Sequence, residues 1–391
     1  MSENLLTLSS LEICLACITG GLFVIQLLYA LVAYARPVRA VKNAERDERT
    51  TTGRNVPVSI IVYTHGEPEN LKKNLPALLT QDYPEYEVIV VNDGSDDESE
   101  DVLKILSSEY KHLYYTFVPN DTQYLSHKKL ALTMGIKAAK YDTLLFTESG
   151  CYPVSDQWIS SMTRGYTKQT EIRLGFCSYP YHKGMMHKMI AYDNLQNGLR
   201  YLSSALARHP YSGNGCNLSY RKELFFSQKG FSKSLNLHAG ADDLFVNNAA
   251  TPENTQVEYS ANSLMETGEM EDYETWKGIK VSRAATQPYY KGFQLAFYQM
   301  EVYGYLLFLI AASVSIVTGI LGNWLVALFA GLLLIIRCAV RINVFRKAAI
   351  LLHQQPLTAW LPLLEINLIA YDLYIHIYRN FKGKRDYTSW I

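Results

Sequence analysis

The 391-residue chain has no surplus of charge: 37 basic side chains face 37 acidic ones. Nucleic-acid binding normally leaves a basic excess, so the balance argues against that class of partner. Cysteine is also sparse. The six residues Cys14, Cys17, Cys151, Cys177, Cys216 and Cys338 are scattered. They indicate no disulfide framework, which suits a reducing compartment. Cys14 and Cys17 have C-x-x-C spacing but lie in an apolar run, with no second pair or histidine nearby. They read as neighbours on one helix face. Charged residues make up only 19% of the chain and hydrophobic ones 48%. Mean hydropathy is nevertheless near neutral, too polar for a transporter with many spans. A polar body with apolar ends satisfies both facts.

The first apolar end is Ile13–Ala35, long enough at 1.5 Å per residue to cross a hydrocarbon core of about 30 Å. Glu3 and Glu12 precede it without any Lys or Arg, whereas Arg36, Arg39, Lys42, Arg46 and Arg49 follow. The pattern is that of an anchor rather than a cleaved leader. The positive-inside rule then puts the N-terminus outside and the rest of the body in the cytoplasm. At the other end, Gln287–Tyr303 is aromatic-rich and reads as an interfacial helix. Tyr303–Leu321 and Trp324–Val340 read as two further spans joined at Gly322-Asn323, with Arg337 and Arg341 snorkelling at the cytoplasmic end. Leu357–Tyr378 carries Glu365, Asn367, Asp372 and His376 and precedes a basic tail, which favours a re-entrant or surface-lying helix. The expected organisation is thus an outer N-terminus (1–12), an anchor (13–35), a basic juxtamembrane linker (36–55) and a cytoplasmic body (56–284). After it come an interfacial helix (285–302), a transmembrane hairpin (303–342) and an amphipathic or re-entrant segment with a basic tail (343–391).

The neutral total is itself a cancellation. Residues 36–54 carry six basic and three acidic side chains, and 303–391 carry eight and three. Residues 55–302 carry 23 basic and 29 acidic ones. Basic segments therefore flank a mildly acidic body, as expected for segments along a cytoplasmic membrane face.

Within the body, short apolar runs at Val58–Tyr63, Glu87–Val91, His112–Phe117 and Thr143–Phe146 alternate with helical patterns at Leu71–Thr80, Asp97–Tyr110 and Lys128–Ala139. That order predicts an α/β fold with a mostly parallel sheet, whose ligands sit beyond the carboxyl ends of its strands. A long helix is expected around Met185–Ala207.

Four motifs fall at those strand ends. Val58-Ser-Ile-Ile-Val-Tyr-Thr-His-Gly-Glu-Pro68 runs from a buried strand into a helix start, which Thr64 and Glu67 could cap. Val88-Ile-Val-Val-Asn-Asp-Gly-Ser-Asp-Asp97 delivers Asp93 and Gly94 to a strand tip. A carboxylate there could accept from a nucleotide's ring N–H and ribose hydroxyl, and the glycine allows close approach. His127-Lys-Lys-Leu-Ala-Leu-Thr-Met-Gly135 places a lysine against a helix dipole, a mismatch that a diphosphate would relieve. Gly240-Ala-Asp-Asp-Leu-Phe-Val-Asn247 offers two acids that are either caps or a base fixed by the following helix.

Together these residues resemble glycosyltransferase family 2, the inverting GT-A-fold enzymes, over roughly Val56–Arg283. G-N-G-C-N-L-S-Y-R-K, D-D-L-F and the flanking spans are similar to its bacterial membrane-bound members. The resemblance implies a Rossmann-like GT-A domain with one N-terminal and about two C-terminal transmembrane helices in a bacterial inner membrane. It implies a UDP- or GDP-linked sugar donor on Thr64, His65, Glu67, Asp93 and Gly94, with Lys128 and Glu148 beside it. It puts Asp242 in the role of base, with Asp243 orienting it or touching the acceptor. It departs from the family twice. The metal motif reads Thr147-Glu-Ser-Gly-Cys-Tyr-Pro153, so Glu148 keeps one acid while Gly150 replaces the acid that usually binds metal. Mg²⁺ or Mn²⁺ would have a single-acid site at most, and no organic cofactor is implied. The closing Q-x-x-R-W element is reduced to Trp276, Lys280 and Arg283, which would lie on the diphosphate and acceptor side. The implied activity is sugar transfer to a membrane-associated, lipid-linked acceptor in cell-envelope glycan synthesis. The alternative is an impaired GT-A domain serving as a partner subunit or nucleotide-sugar sensor.

Overall fold

The protein is described by a computed structural model covering residues 8–47, 55–93, 98–118, 126–235, 237–268, 273–357 and 359–381. Helix α1 (Ser10–Leu28) opens with a capping box between Ser9 and Glu12 and runs through a π turn, Tyr29–Tyr34, into α2 (Arg36–Asp47).

The body then builds β1 (Val58–Thr64), α3 (Pro68–Leu79), β2 (Tyr86–Asn92), α4 (Ser99–Glu109), β3 (Leu113–Phe117), α5 (His127–Ala138) and β4 (Thr143–Glu148). Next come β5 (Cys151–Pro153), α6 (Trp158–Thr163), β6 (Ile172–Leu174), β7 (Cys177–Ser178) and α7 (Met185–Leu206). The elements β8 (Leu218–Arg221), α8 (Lys222–Ser227), α9 (Asp243–Ala249), β9 (Thr255–Val257) and β10 (Met265–Thr267) complete the body.

The main sheet has seven strands in the order β3-β2-β1-β4-β8-β6-β9, and β5-β10-β7 form a second, smaller one. β1 pairs in parallel with β2 and β4, and β2 with β3, while β8 runs antiparallel between β4 and β6. All seven residues of β1 are buried, as its nearly unbroken apolar run requires of a strand covered on both faces. The covering helix α5 comes close because residue 135 is glycine: a Cβ there would stand 2.8 Å from Ile61 Cγ2 and 3.1 Å from Val91 Cγ2. The sequence-predicted strands and helices of this first half recur with their ends moved by a few residues. β4 runs on to Glu148, so the strand itself carries that acid to the sheet's edge.

The C-terminal part comprises α10 (Tyr273–Thr286), α11 (Gln294–Leu321), α12 (Trp324–Leu351) and α13 (Leu361–Phe381). Among the described residues, three helical stretches are long and apolar enough to cross a membrane: 10–34, 294–321 and 324–351. They pack together, with Thr19 and Ser315 hydroxyls 3.0 Å apart and Gln26 donating to the Glu301 carbonyl at 3.2 Å. The expected boundary at 302/303 falls inside α11, which runs unbroken from the edge of the body into the span.

α13 is not among the candidate spans. It lies against α7 and α10, burying Leu361, Leu364, Leu368 and Ile375 while Leu363, Ile366, Leu373 and Ile377 stay exposed. Arg337 and Arg341 do not snorkel. Both are buried and paired with Glu365 of α13, and Arg341 also reaches Glu301 of α11 at 3.4 Å. Arg200 of α7 joins Glu301 from the body side at 3.6 Å. Buried arginines held this way stay paired, because breaking either pair would strand a charge in apolar surroundings.

Candidate active site

The carboxyl ends of β1 and β4 and the start of α5 converge on one cleft, lined by Tyr63, Lys128, Phe146, Glu148, Gly215 and Asp242. Asp93 lies just beyond β2, bonded to the cleft residue Tyr63. Its carboxylate is almost wholly buried and held from two sides: the Tyr63 hydroxyl donates to Oδ2 at 2.8 Å, and His127 Nδ1 stands 2.9 Å from Oδ1. His65 Nδ1 stands 2.8 Å from the Asp93 carbonyl. Burial, reinforced by the neighbouring Asp93 charge, raises the Tyr63 phenol well above its usual range. The phenol therefore stays a donor. Gly94 lies outside the described residues.

Thr64 ends β1 fully buried, and its Oγ1 has no hydrogen-bond partner among the described residues. Such an orphaned hydroxyl at a strand tip is a place where a ligand atom can complete the bonding. Glu67, at the N-terminus of α3, accepts from Ser149 Oγ at 2.5 Å and from Asn70 at 3.2 Å. It therefore ties α3 to the turn between β4 and β5, which Asn74 also grips through the Ser149 carbonyl at 2.9 Å.

Lys128 Nζ donates to Glu148 Oε1 at 2.6 Å and lies 5.4 Å from the centre of the Tyr63 ring. Burial works against its charge, but Glu148 and Asp242 outweigh that and hold the ammonium well above its usual range. Lys128 is thus a permanent cation in the cleft.

Asp242 faces it. The Gly215 N–H donates to Asp242 Oδ2 at 2.8 Å, which fixes one oxygen and leaves Oδ1 for another partner. Asp243 points the other way. It is buried at the start of α9 and accepts from Thr286 Oγ1 at 2.5 Å and Tyr290 OH at 2.7 Å through Oδ2, and from the Leu244 N–H at 2.7 Å through Oδ1. Burial and the charge of Asp242 push its carboxyl up to about 6. Asp243 therefore fastens α9 to the end of α10, with both oxygens already committed.

Lys280 and Arg283 form their own cluster. Lys280 is buried between Asp193, at 2.7 Å, and Asp372. Arg283 meets Asp193 at 3.2 Å, and Trp276 donates to the same carboxylate at 3.3 Å. Trp276 also stacks on Tyr371 with ring centres 4.5 Å apart. These residues clamp α10 to α7 and α13. Of the two cations, only the partly exposed Arg283 has part of its guanidinium still in solvent.

Three residues of the site escape a reading of sequence motifs. Tyr63 looks like one more core residue of β1, and His127 like a helix lead-in, yet together they hold Asp93. Lys129 looks like the solvated twin of Lys128 but is completely buried. It donates to the Ser234 and Leu237 carbonyls at 2.5 and 2.7 Å, while Ser126 Oγ donates to the His238 carbonyl at 2.7 Å. Burial pulls the Lys129 ammonium down to about 8, against the charges of Asp243 and Asp242. These three bonds anchor Ser234, Leu237 and His238, from which the chain leads through Gly240 (φ +92°) to Asp242. A side chain at residue 240 would meet Leu244 Cδ1 at 2.5 Å, so the motif's glycine serves the turn.

Residues 22–195 match the family model described as glycosyl transferase family 21. Among curated proteins, glycosyltransferase AglE of Haloferax volcanii is 34% identical over 104 residues, 26% of this chain and 33% of that protein. Ceramide glucosyltransferase 3 of Caenorhabditis elegans is 31% identical over 100 residues, 25% of this chain and 22% of that one. The chain thus spans a third or less of the length of these curated relatives. Among solved structures, mannosyltransferase PcManGT from Pyrobaculum calidifontis in complex with GDP-Man and Mn²⁺ superposes with a TM-score of 0.54 at 15% identity. The superposition covers 86% of this chain and 98% of that one. That likeness concerns the fold.

Proposed function

Because the chain belongs to the GT-A glycosyltransferase superfamily, we propose that it is an inverting transferase. It moves one sugar from a UDP- or GDP-linked donor to a membrane-associated, lipid-linked acceptor on the cytoplasmic face of a bacterial inner membrane. The observation that carries the reading is the cleft in which Asp242 faces the Lys128–Glu148 pair. Inversion is an in-line displacement at the anomeric carbon. Asp242 Oδ1 takes the acceptor hydroxyl's proton while its other oxygen is held by Gly215. Lys128, across the cleft from it, meets the negative charge that collects on the departing diphosphate. Asp93, steadied by Tyr63 and His127, and the free Thr64 hydroxyl receive the nucleoside.

A divalent cation fits this residue set poorly. Within the motif at the end of β4, Glu148 is the one acid, a cation would have to compete with Lys128 for its Oε1, and position 150 offers no side-chain ligand. No step here is routed through a metal. A lipid-linked acceptor is supported by α13, which packs on α7 and α10 while its outer apolar side chains stay exposed, and by the relative named for ceramide, a lipid.

The second reading, a nucleotide-sugar sensor, is favoured by the same Gly150 and the Glu148–Lys128 bond. One experiment separates them. Purified protein is given a panel of nucleotide sugars with a membrane lipid extract, beside Asp242→Asn. Turnover by wild type alone supports the transferase. Nucleotide binding without turnover in either supports the sensor, and no nucleotide binding at all sinks both.

A further inference from the structure

Three of the six cysteines, Cys14, Cys17 and Cys338, lie on the membrane helices α1 and α12. The remaining three are every cysteine of the body, and they meet at one point. Cys151 opens β5, Cys177 opens β7, and Cys216 sits in the 3-10 turn Gly215–Asn217. Their Sγ atoms all lie within 4.8 Å of one another, with Cys151 and Cys177 sulfurs 3.9 Å apart. All three are free thiols. In a tetrahedral zinc thiolate with Zn–S near 2.3 Å, neighbouring sulfurs are about 3.8 Å apart.

From this convergence we propose that Cys151, Cys177 and Cys216 form a site for a thiophilic d¹⁰ cation of the Zn²⁺ class beneath the catalytic cleft. Binding exchanges three S–H bonds for three metal–sulfur bonds and releases three protons to solvent. The resulting group carries one negative charge. Hard cations such as Mg²⁺ prefer oxygen ligands and would not select this site.

Its position gives it a task. Cys151 follows Glu148 by three residues, and Cys216 follows Gly215, whose N–H holds Asp242. The cation would bind the turn behind Glu148 to the turn that holds Asp242, fixing the spacing across the cleft. The proposal does not rest on glycosyl transfer, because its test reads metal and needs no sugar donor.

Full-length protein, purified in detergent with reductant, is assayed for zinc by elemental mass spectrometry. It is then stripped and titrated with Co²⁺ while thiolate-to-cobalt charge transfer is followed in the near ultraviolet. One zinc per chain and a saturable charge-transfer band are expected. Cys216→Ser, at the most exposed of the three, should weaken Co²⁺ binding by at least about 100-fold, the scale known for partners merely adjoining a metal site. Cys338→Ser should leave it unchanged. Wild type with neither zinc nor a charge-transfer band overturns the proposal and leaves three small core residues. So does a Cys151→Ser/Cys216→Ser double variant that binds like wild type. The decisive reading is made on wild type, so a variant that fails to fold does not protect the idea.

Discussion

Lys128 Nζ is bonded to Glu148 Oε1 at 2.6 Å, in the cleft that Asp242 also lines. If that ammonium stabilises the leaving group, donor turnover survives EDTA. Lys128→Met lowers kcat by roughly 10²–10³-fold, the range seen when one group stabilising transition-state charge is removed. Turnover rates with and without chelator check both statements. Loss of activity in EDTA that added Mn²⁺ restores would return the role to a metal.

Asp242→Asn is expected to lower kcat by about 10²–10⁴-fold, as for removal of a general base. Donor affinity should stay within a factor of a few. Calorimetry with the nucleoside diphosphate, run beside turnover, separates the two quantities. A variant that loses binding as well as rate would move Asp242 from catalysis to donor recognition.

Tyr63→Phe removes one of the two side-chain donors that hold Asp93. Leaving a buried carboxylate short of a partner costs about 1–3 kcal/mol. Nucleotide affinity should fall by about tenfold, and thermal stability should fall with it. Unchanged affinity would show that Asp93 does not touch the nucleoside.

Asp243 predicts a pH effect on stability. Its carboxyl is raised from 3.8 to about 6, by burial first and then by Asp242. Between those values the folded chain keeps a proton that the unfolded chain has lost, so stability falls as pH rises through the window from about 4 to 6. Asp243→Asn should flatten that part of the curve, by an amount on the order of 1–3 kcal/mol. Melting in matched detergent buffers from pH 4 to 7 tests it, and parallel curves for the two proteins would refute it.

Glu365→Gln leaves Arg337 and Arg341 short of their shared carboxylate. Breaking a buried pair from one side costs about 3–5 kcal/mol. The variant should melt earlier, and α13 should become the first protease-sensitive helix. Protection of α13 equal to that in wild type would contradict its attachment through this network.

The first half of the body was legible because its signals are local. The apolar run of β1 demands two covered faces, and Gly135 marks where α5 must approach the sheet. The tip motifs follow from strand direction. What was hidden depends on contacts across the sequence. Nothing in H-K-K says that Lys129 turns inward to two carbonyls more than 100 residues away. The destination of Lys280 was equally invisible, since its partners Asp193 and Asp372 lie on two other helices. Arg337 and Arg341 looked like interfacial anchors because α13, which brings Glu365 to them, follows only later in the chain.

The unbroken course of α11 has a mechanical consequence. Its 28 residues make a rod about 42 Å long, of which a bilayer core takes up about 30 Å. Beyond it the Phe297 carbonyl accepts from Tyr29 of the π turn, and Tyr290, just before the helix, holds Asp243 of the body. Such a rod acts as a lever with its fulcrum at the lipid headgroups. A thinner or thicker bilayer changes its tilt, and the short arm carries that change toward the carboxylates.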